Sequence, residues 1–449
     1  MNTSDSSPKT AVVRMYQARQ QIYPRDVDGR YARLRWLCVW LTQLVFYGMP
    51  WLRWNGRQAV LFDLAARKFY LFGIVLWPQD FIYLAVLLIV CAFSLFLFTA
   101  IAGRVWCGYA CPQTVYTKIF LWIESRIEGP RSSRMRLDRQ GWSPDKLLRK
   151  SGKHLAWAVV ALWTGFTFVG YFTPVRDLAR EASVFGLGSW EWFWVMFYGF
   201  ATYGNAGWMR EQVCKYMCPY ARFQSAMFDR DSLIVTYDAA RGEPRTSRYR
   251  KTPEPASSPC IDCSMCVQVC PTGIDIRAGL QYMCIGCAAC VDACNMVMDR
   301  IGAQRGLIRY STEHAMAENL TAAAILRRVF RPRVLIYSSA LLVIAAIFLG
   351  SLILRVPLKV DVIRDRGSMG REVEEGMVEN VYRLQAINTD ELPHRYKISV
   401  TGIDGIVLSG DSEVTLAATE TRLVPVRVRV PHGQGRAGSN SISFRLQGL

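Results

Sequence analysis

The sequence predicts a multi-domain membrane protein with five transmembrane helices, a cysteine-rich domain inserted before the fifth helix, and a C-terminal all-β domain. Two observations favour this fold class. Of the 449 residues, 51% are hydrophobic, and they form long apolar runs instead of short amphipathic elements. The chain also contains 14 cysteines and carries a formal charge of +18, from 54 Lys and Arg against 36 Asp and Glu. The apolar runs exclude a purely soluble enzyme and an ordinary nucleic-acid-binding protein, so we expect membrane lipid, and no nucleic acid, among the partners.

Five apolar runs approach the ~20 residues that cross a bilayer as a helix. The fifth run, VLIYSSALLVIAAIFLGSLIL, contains no charged residue and is bounded by Arg333 and Arg355. The first and fourth runs are short and rich in Trp and Tyr, which is typical of membrane interfaces, and one of them could instead be a buried core helix. No signal peptide is expected, because the N-terminal segment is polar and basic. The predicted spans are about 36–52, 81–102, 155–172, 192–208 and 334–354.

The distribution of charge predicts the orientation. Residues 1–35, 103–153 and 210–333 together carry a net charge of +16, whereas the alternate segments carry +2. Lys and Arg collect in cytoplasmic loops. The sequence therefore predicts that the N-terminus and the cysteine-rich domain lie in the cytoplasm and that the C-terminal domain lies outside.

Eight cysteines between the fourth and fifth spans form two runs, CIDCSMCVQVCP and CIGCAACVDACN. Both have the C-x2-C-x2-C-x3-C spacing that holds 4Fe-4S clusters in bacterial ferredoxins. Three cysteines at intervals of three let one tight loop place three thiolates on one cluster, and in two-cluster ferredoxins the fourth cysteine binds the other cluster. On that resemblance, one cluster is expected on Cys260, Cys263, Cys266 and Cys294, and the other on Cys284, Cys287, Cys290 and Cys270.

Zinc and disulfides are the alternatives for these eight cysteines. Zinc accepts four thiolates, but two tandem runs of four at this spacing match zinc-ribbon pairs poorly. Disulfides are disfavoured on the reducing side of the membrane. The second run ends in Asn295 where the first ends in Pro271, which leaves ligation intact but leaves the potential of the neighbouring cluster open.

Four further cysteines form a repeated CxxxCP element, GRVWCGYACPQ and REQVCKYMCPY. Each element follows a span that ends in the cytoplasm. Pro112 and Pro219 suit the first turn of a following helix. A thiol at a helix N-terminus, near basic residues, is biased toward the thiolate. The cysteines of this candidate redox or copper site are Cys107, Cys111, Cys214 and Cys218, and the nearby basic residues are Arg104, Lys118, Lys215 and Arg222.

Three interpretations of the CxxxCP cysteines stay open. They could bind a metal centre, either iron–sulfur or copper(I), because thiolates favour soft metals. They could also be redox-active dithiols or merely structural turns, and a homodimer could bring the pairs together. The remaining Cys38 and Cys91 lie in apolar spans and are expected to be packing residues.

The other segments complete the expected organisation. The stretch RSSRMRLDR is expected to be a solvated basic loop, and residues 241–259 a flexible linker. After the last span, short β-rich runs separated by Gly, Asn, Asp and Pro predict a small all-β sandwich. The expected segments are an N-terminal segment 1–35, a four-helix membrane region 36–210 with a cytoplasmic loop 103–153, a CxxxCP element and linker 211–259, a two-cluster domain 260–300, a linker 301–333, the fifth helix 334–354 and the C-terminal domain 355–449.

The sequence also resembles a known family. The segments YPRDVDGRYARLRW, GRQAVLFDLAARKFYLFG, WPQDF and GRVWCGYACPQTVYTK, with the second CxxxCP element, the two ferredoxin runs and the β-rich tail, resemble the FixG-type (CcoG, RdxA) cytochrome c oxidase accessory proteins over essentially the whole chain. This resemblance implies a multi-pass polyferredoxin of the bacterial inner membrane with a cytoplasmic ferredoxin domain and an immunoglobulin-like periplasmic domain.

The resemblance further implies a role in assembling the cbb3-type oxidase, by reducing Cu(II) to Cu(I) for its copper centre. Copper ions or copper chaperones and oxidase subunits are the implied partners, and the electron donor is unknown. The leading hypothesis is electron flow through two 4Fe-4S clusters toward the CxxxCP cysteines, which would make the protein a cupric reductase. The alternatives are a membrane ferredoxin that passes electrons between a cytoplasmic donor and quinone or a periplasmic partner, and a non-enzymatic assembly factor with structural clusters.

Overall fold

The computed structural model describes residues 21–245, 258–364, 370–373, 376–436 and 438–449. Most of the linker predicted at 241–259 lies outside these residues. The chain divides into two compact units. The first unit comprises residues 1–37, 102–157 and 205–325, and the second comprises residues 38–101, 158–204 and 326–449.

The helices in the described residues are α1 Arg30–Gly48, α2 Phe81–Ala102, α3 Val105–Tyr109, α4 Pro112–Ile127, α5 Arg131–Arg139, α6 Pro144–Val169, α7 Val175–Ser183, α8 Ser189–Thr202, α9 Pro219–Met227, α10 Ala239–Gly242, α11 Met265–Gln268, α12 Ala289–Arg300, α13 Glu313–Glu318, α14 Ala322–Arg328 and α15 Pro332–Ile353. Two π-helical segments, Tyr203–Met209 and Val213–Met217, precede α9.

The strands in the described residues are β1 Arg53–Trp54, β2 Arg57–Gln58, β3 Val60–Asp63, β4 Lys68–Leu71, β5 Ile74–Leu76, β6 Ile234–Tyr237, β7 Ile308–Ser311, β8 Leu358–Arg364, β9 Arg371–Val373, β10 Met377–Asn388, β11 His394–Thr401, β12 Val407–Ser409, β13 Glu413–Leu416, β14 Thr421–Pro431 and β15 Ser443–Gly448.

In the first unit, the strands β6 and β7 form an antiparallel pair in which Ile234 lies opposite Ser311. The pair contributes Val235 and Ile308 to an apolar core that also contains Val291 of α12 and cysteines of both ferredoxin runs. The regions predicted as linkers, 211–259 and 301–333, therefore each supply a strand to the ferredoxin core. The prediction of a domain confined to 260–300 is too narrow, because the core needs these two strands to cover it.

The predicted cytoplasmic loop at 103–153 is helical, and its basic stretch RSSRMRLDR forms α5. Arg134 of α5 is only 2% exposed, and its guanidinium lies 3.5 Å from the carboxylate of Glu124 in α4. Glu124 also accepts a hydrogen bond of 2.5 Å from Arg210. A solvated loop is therefore the wrong description of this stretch, since a buried carboxylate on the preceding helix pairs with one of its arginines.

Two helical stretches of the second unit are long and apolar enough to cross a membrane. They are Pro78–Ala102, with a mean hydropathy of 2.9, and Pro332–Ile353, with a mean hydropathy of 2.3. They match the second and fifth predicted spans. The first, third and fourth predicted spans coincide with α1, α6 and α8, which do not meet these criteria in the described residues. Five crossings and their orientation stay predictions.

Helices α6 and α8 approach closely at Gly165 in the second unit. A Cβ atom built on Gly165 would lie 2.3 Å from the carbonyl oxygen of Val195 and 2.9 Å from the amide nitrogen of Gly199.

The residues between the first two predicted spans form an antiparallel sheet, β3-β4-β5, which was not predicted from the sequence. Its register places Val60 opposite Leu71.

Asp80 links the start of α2 to the region after α15 in the second unit. It is 5% exposed and accepts a hydrogen bond of 3.0 Å from the Trp77 amide. Its carboxylate pairs with Arg355 at 2.7 Å and also with Lys359 of β8. Two cations and a backbone amide thus satisfy this buried carboxylate.

The C-terminal residues form the predicted all-β sandwich. One sheet has the strand order β12-β14-β10-β8, with β9 also paired to β10, and the other has the order β13-β11-β15. Alternate residues along β11 and β13 are buried, so one face of each strand contributes to the core. The core consists of Leu384, Ala386, Tyr396, Ile398, Val414, Leu416 and Val426.

Candidate iron–sulfur centres and the CxxxCP tetrad

Two cavities lie in the core of the first unit, and cysteines of both ferredoxin runs line each of them. The first, of about 360 Å³, is lined by Cys260, Cys263, Cys266 and Cys294. The second, of about 350 Å³, is lined by Cys270, Cys284, Cys287 and Cys290, with Cys266 also on its wall. The structure thus brings three cysteines of each run together with the fourth cysteine of the other run. This is the grouping that the ferredoxin resemblance implies.

The backbone repeats itself around the second cysteine of each run. The residues that flank Cys263 are Asp262 and Ser264, with φ of 46° and 54°, and those that flank Cys287 are Gly286 and Ala288, with φ of 64° and 55°. Left-handed residues at alternate positions curl the chain into a tight loop, and such loops turn backbone N–H groups toward bound anions, as in many Fe–S sites. Ser264 and Ala288 also lie immediately before α11 and α12.

The arrangement fits a 4Fe-4S cluster better than a single zinc ion. In the part of the chain that the structure describes, no three His, Cys, Asp or Glu side chains converge closely enough to hold one metal ion. Zinc would require four sulfur atoms at about 2.3 Å from a single point. Here each set of four cysteines lines a cavity, and apolar side chains also line the walls, such as Ile276 in the second cavity and Met298 in the first.

Burial raises the pKa of the cysteine thiols in both cavities, to about 11 for Cys266 and about 12 for Cys284 and Cys294. A free thiol at these positions is protonated at neutral pH, so binding a cluster as thiolates must release protons.

The sulfur of Cys270 has a hydrogen-bond partner in the side chain of Thr272. The Oγ1 atom of Thr272 lies 3.3 Å from this sulfur and can donate a hydrogen bond to it.

Asn295, which replaces the proline expected after the second run, has a structural role. Its side-chain oxygen accepts a hydrogen bond of 3.0 Å from the backbone amide of Gly306. This bond connects α12 to the turn that leads into β7. Cys294, which immediately precedes Asn295, lines the first cavity.

The two CxxxCP elements share a backbone hydrogen bond and a helix start, although the first lies in the α-helix α3 and the second in a π-helical segment. The backbone N–H of Cys111 donates to the carbonyl of Trp106 at 3.0 Å, and that of Cys218 donates to the carbonyl of Val213 at 2.8 Å. In each element the acceptor immediately precedes the first cysteine. Cys111 and Cys218 have extended backbones at the N-caps of α4 and α9, with the expected prolines in the first turn.

The first unit places the four CxxxCP cysteines near one another, and we call them the CxxxCP tetrad, although among the described residues no three of them converge closely enough to hold one metal ion. Cys107 lies within electrostatic range of Cys111, Cys214 and Cys218. The expected bias toward thiolate is wrong for two of the four. Burial raises the pKa of Cys107 to about 12 and that of Cys214 to about 11, although the positive charge of Arg104 acts in the opposite direction. Only Cys111 and Cys218 occupy the helix N-caps that motivated the prediction.

The first CxxxCP element lies directly against the loop of the second ferredoxin run. A Cβ atom built on Gly108 would lie 2.8 Å from the Cα of Cys287 and from the carbonyl oxygen of Ile285. On the other side of this contact, a Cβ built on Gly286 would lie 3.1 Å from the carbonyl carbon of Arg104. Glycine at both positions lets the two backbones touch, so the tetrad and the second cavity are neighbours.

A buried polar network joins the first CxxxCP element to α9, which follows the second element. The side-chain oxygen of Gln224 accepts a hydrogen bond of 2.8 Å from Arg104 and lies 3.6 Å from the sulfur of Cys107. Its amide nitrogen donates to the carbonyl of Gly103 at 3.1 Å and to the hydroxyl of Tyr220 at 2.7 Å. Gln224 was not predicted from the sequence, because no local pattern distinguishes a buried glutamine on α9 from a solvated one.

Two tyrosines and one aspartate also support this site and were not predicted. The hydroxyl of Tyr310 donates to the carbonyl of Gly286 and lies 3.3 Å from the hydroxyl of Tyr109, inside the first CxxxCP element. Asp292, within the second ferredoxin run, accepts the backbone N–H of Ala32 at 2.7 Å. This contact places the first turn of α1 on the ferredoxin core, where a carboxylate complements the helix N-terminus.

Comparison with known proteins agrees with these sites. A 4Fe-4S dicluster domain family matches residues 209–313, and a second family described as a 4Fe-4S binding domain matches residues 84–130. The second match contains the first CxxxCP element. A family described as the IG-like fold at the C-terminal of FixG matches residues 348–448. The chain therefore contains two 4Fe-4S binding domains and an immunoglobulin-like C-terminal domain.

The relatives cover almost the whole chain. It is 38% identical to the nitrogen fixation protein FixG of Rhizobium meliloti over 96% of its own length and 90% of that protein. The chain belongs to the FixG family. It is also 38% identical to the proteins RdxA and RdxB of Cereibacter sphaeroides, over 96% and 98% of its length and 94% and 95% of theirs. The predicted family resemblance is confirmed.

One solved structure, of a FixG-related protein from Vibrio parahaemolyticus, covers 21% of this chain and 84% of its own, at 25% identity. Its TM-score of 0.19 is too low to support a comparison of the two folds.

Proposed function

We propose that this protein is a membrane electron-transfer protein in which two 4Fe-4S clusters deliver electrons to the CxxxCP tetrad, where Cu(II) is reduced to Cu(I). The contact of Gly108 with the backbone of Ile285 and Cys287 carries the proposal. It places one wall of the second cavity against the tetrad, so the two cavities and the tetrad form a sequence of three neighbouring sites.

The proposed ligands of the first cluster are Cys260, Cys263, Cys266 and Cys294, and those of the second are Cys284, Cys287, Cys290 and Cys270. When bound, such clusters supply one-electron transfer over a wide range of potentials. The chain supplies the thiolates, the apolar walls that exclude water, and the hydrogen bond from Thr272 to Cys270. Cys266 lines both cavities, which supports close spacing of the two clusters.

The copper step rests on the chemistry of the tetrad. Each Cu(II) ion takes up one electron to become Cu(I), and soft thiolates favour the reduced ion. By family resemblance, we propose that the Cu(I) serves assembly of a cbb3-type oxidase, with copper ions or chaperones and oxidase subunits as partners. The corresponding location is the bacterial inner membrane, with five spans, a cytoplasmic cluster domain and a periplasmic immunoglobulin-like domain.

The first experiment measures Cu(II) reduction by purified, dithionite-reduced protein, with a chromogenic chelator that reports Cu(I). Substituting Cys260→Ser or Cys284→Ser should abolish the reaction, and a double Cys107→Ser and Cys214→Ser variant should do so without loss of the two clusters. Cys91→Ser is the matched control, because Cys91 is exposed on α2. Wild-type rates in both cluster variants would refute the proposal. If such variants still support oxidase assembly in cells, a non-enzymatic role is favoured instead.

The second experiment tests the exchange of the fourth cysteines by EPR of the reduced protein. Cys270→Ser should alter the signal of the cluster that Cys284→Ser removes, and Cys294→Ser should alter the signal of the cluster that Cys260→Ser removes. The opposite pairing would show that each run holds its own cluster.

A second candidate function, exchange of electrons with quinone, is favoured by a solvent-open pocket with aromatic and charged walls in the first unit. The indoles of Trp157 and Trp208, the imidazole of His154, and Arg210 and Glu211 lie on its wall. His154 stacks on Trp208 with ring centroids 5.7 Å apart. A short-chain quinol that reduces the clusters rapidly, in a protein that does not reduce Cu(II), would favour this function.

A further inference from the structure

Arg104 is a buried cation between the CxxxCP tetrad and the second cavity. Its side chain is 6% exposed. The guanidinium donates to Gln224, to the carbonyl of Tyr282 and, at 3.2 Å, to the carbonyl of Cys284. Its described neighbours are thus neutral hydrogen-bond acceptors, and no carboxylate of the described residues lies within 4.0 Å of it.

Arg277, which lines the first cavity, is also buried but differs from Arg104 in having carboxylate partners. The side chain of Arg277 is 8% exposed, and it pairs with Asp275 at 2.7 Å and with Asp262. Two carboxylates therefore neutralise the cation at the first cavity. A buried charge that lacks such a partner is costly, so Arg104 requires an anionic group nearby. The cysteines on either side of it are the groups that become anionic when they bind metal.

We propose that Arg104 is the shared counter-ion of the second cluster and the CxxxCP tetrad, and that it raises the reduction potential of that cluster and strengthens metal binding by the tetrad. This inference deepens the proposed function and rests on it. Arg104 acts as a positioning residue, because it contacts the backbone that carries Cys284 and the glutamine beside Cys107.

The sign of each effect follows from the charge balance. Reduction adds one electron to a centre that four thiolates already make negative, so a nearby cation favours the reduced state. Arg104 lies beside the second cavity and Arg277 beside the first, but only Arg277 is neutralised. The second cluster should therefore be the easier one to reduce, which directs electrons from the first cluster toward the tetrad.

A nearby cation also favours metal binding at the tetrad. Thiols such as Cys107 and Cys214 bind metal as thiolates and release their protons, which leaves a net negative site around the metal. Arg104 donates to Gln224, whose side-chain oxygen lies 3.6 Å from the sulfur of Cys107, and also to the carbonyl of Cys284 at 3.2 Å. The charge of Arg104 thus stabilises both the reduced second cluster and the metal-bound tetrad.

The test is an EPR-monitored redox titration of the holoprotein. In Arg104→Gln, the ratio of reduced to oxidised second cluster at a fixed potential should fall at least about tenfold, equivalent to ~59 mV for one electron. Arg104→Lys should retain most of the potential, because the charge remains. The first cluster should titrate unchanged in both variants and serves as the internal reference. Arg139→Gln, at an exposed arginine at the end of α5, is the control, because Arg139 belongs to neither cavity nor to the tetrad.

If Arg104→Gln fails to assemble its clusters, Gln224→Glu replaces it, since a carboxylate at this position would neutralise Arg104 in place. This variant should also lower the potential of the second cluster alone. Equal shifts of both clusters, an unchanged second cluster, or equal losses in Arg104→Lys and Arg104→Gln would overturn the proposal.

The second measurement is the affinity of the tetrad for Cu(I), by competition with a chromogenic chelator. Arg104→Gln should weaken it about tenfold, and an unchanged affinity would remove the tetrad from the proposal. If the wild-type protein shows no cysteine-dependent Cu(I) binding, the proposed copper function fails, whereas the redox titration still decides the role of Arg104 at the second cluster.

Discussion

Substituting Gly108 with alanine should separate the first CxxxCP element from the second ferredoxin run. The added Cβ would lie 2.8 Å from the Cα of Cys287 and from the carbonyl oxygen of Ile285, and 2.9 Å from the amide nitrogen of Cys287. Ordinary contact begins near 3.4 Å, so the backbones must move apart by about 0.6 Å. Overpacking of this kind costs about 1–3 kcal/mol. All three close atoms belong to the backbone, so a rotamer change cannot relieve the clash.

The assay is thermal unfolding of the holoprotein, followed by the visible absorbance of the clusters. For a unit of 150–250 residues, each kcal/mol lowers Tm by about 2–4 °C, so Gly108→Ala should unfold about 2–12 °C below the wild type. Cu(II) reduction should also slow. Gly141→Ala is the control, because a Cβ at Gly141 would meet nothing within 4 Å. If both variants unfold at the wild-type temperature and reduce copper equally well, the contact does not join the tetrad to the second cluster.

Three further predictions concern the second unit. Asp80→Asn should destabilise it by about 3–5 kcal/mol, because it breaks a buried pairing with two cations, and a wild-type Tm in detergent would contradict this. Glu379, whose two arginine partners hold the pKa of its carboxyl below the ordinary value of 4.5, should stabilise the sandwich above about pH 4.5. That contribution should disappear as the pH falls through the lowered pKa, and Glu379→Gln should remove this dependence from thermal unfolding curves. Gly165→Ala should cost about 1–3 kcal/mol, since its Cβ would lie 2.3 Å from a backbone carbonyl of α8. Gly48→Ala, with nothing within 4 Å, should have no packing cost, and equal thermal stability of the two variants would argue against close packing of α6 and α8.

The sequence identified the cysteine groups because their spacing is local. Cys260, Cys263 and Cys266 lie in one short loop, and their spacing alone places them around one cavity. The position of Cys270 with the other run came from the resemblance to two-cluster ferredoxins, since spacing does not determine which cavity it faces. The structure now places it in the second cavity.

Residues whose roles depend on distant contacts were not predictable. Arg104 was identified as a basic residue near the CxxxCP cysteines, but Gln224 lies more than a hundred residues away, and nothing in either segment predicts that the two side chains meet. Gly108 has no left-handed backbone to distinguish it, and only the approach of Cys287 explains its small size. The strand β6 is also too short to give a clear alternating pattern before its pairing with β7 is known.

The prediction that the CxxxCP thiols are biased toward the thiolate was wrong for Cys107 and Cys214 for a related reason. The prolines correctly predicted that α4 and α9 begin after the second cysteine of each element. The ionisation of Cys107 and Cys214 depends instead on how much protein covers them, and burial outweighs the nearby cation. The extent of burial is a property of the tertiary fold that local sequence does not contain.

The exchange of Cys270 and Cys294 between the two cavities has a consequence for biosynthesis. The chain is made from its N-terminus, so when Cys260, Cys263 and Cys266 leave the ribosome, their fourth partner is still 28 residues away in the message. Neither binding site is complete until both runs have been translated and folded against each other. With the cluster ligands proposed above, insertion of iron and sulfide would be deferred to a late stage, and a chain truncated between the two runs would contain no complete set of four ligands.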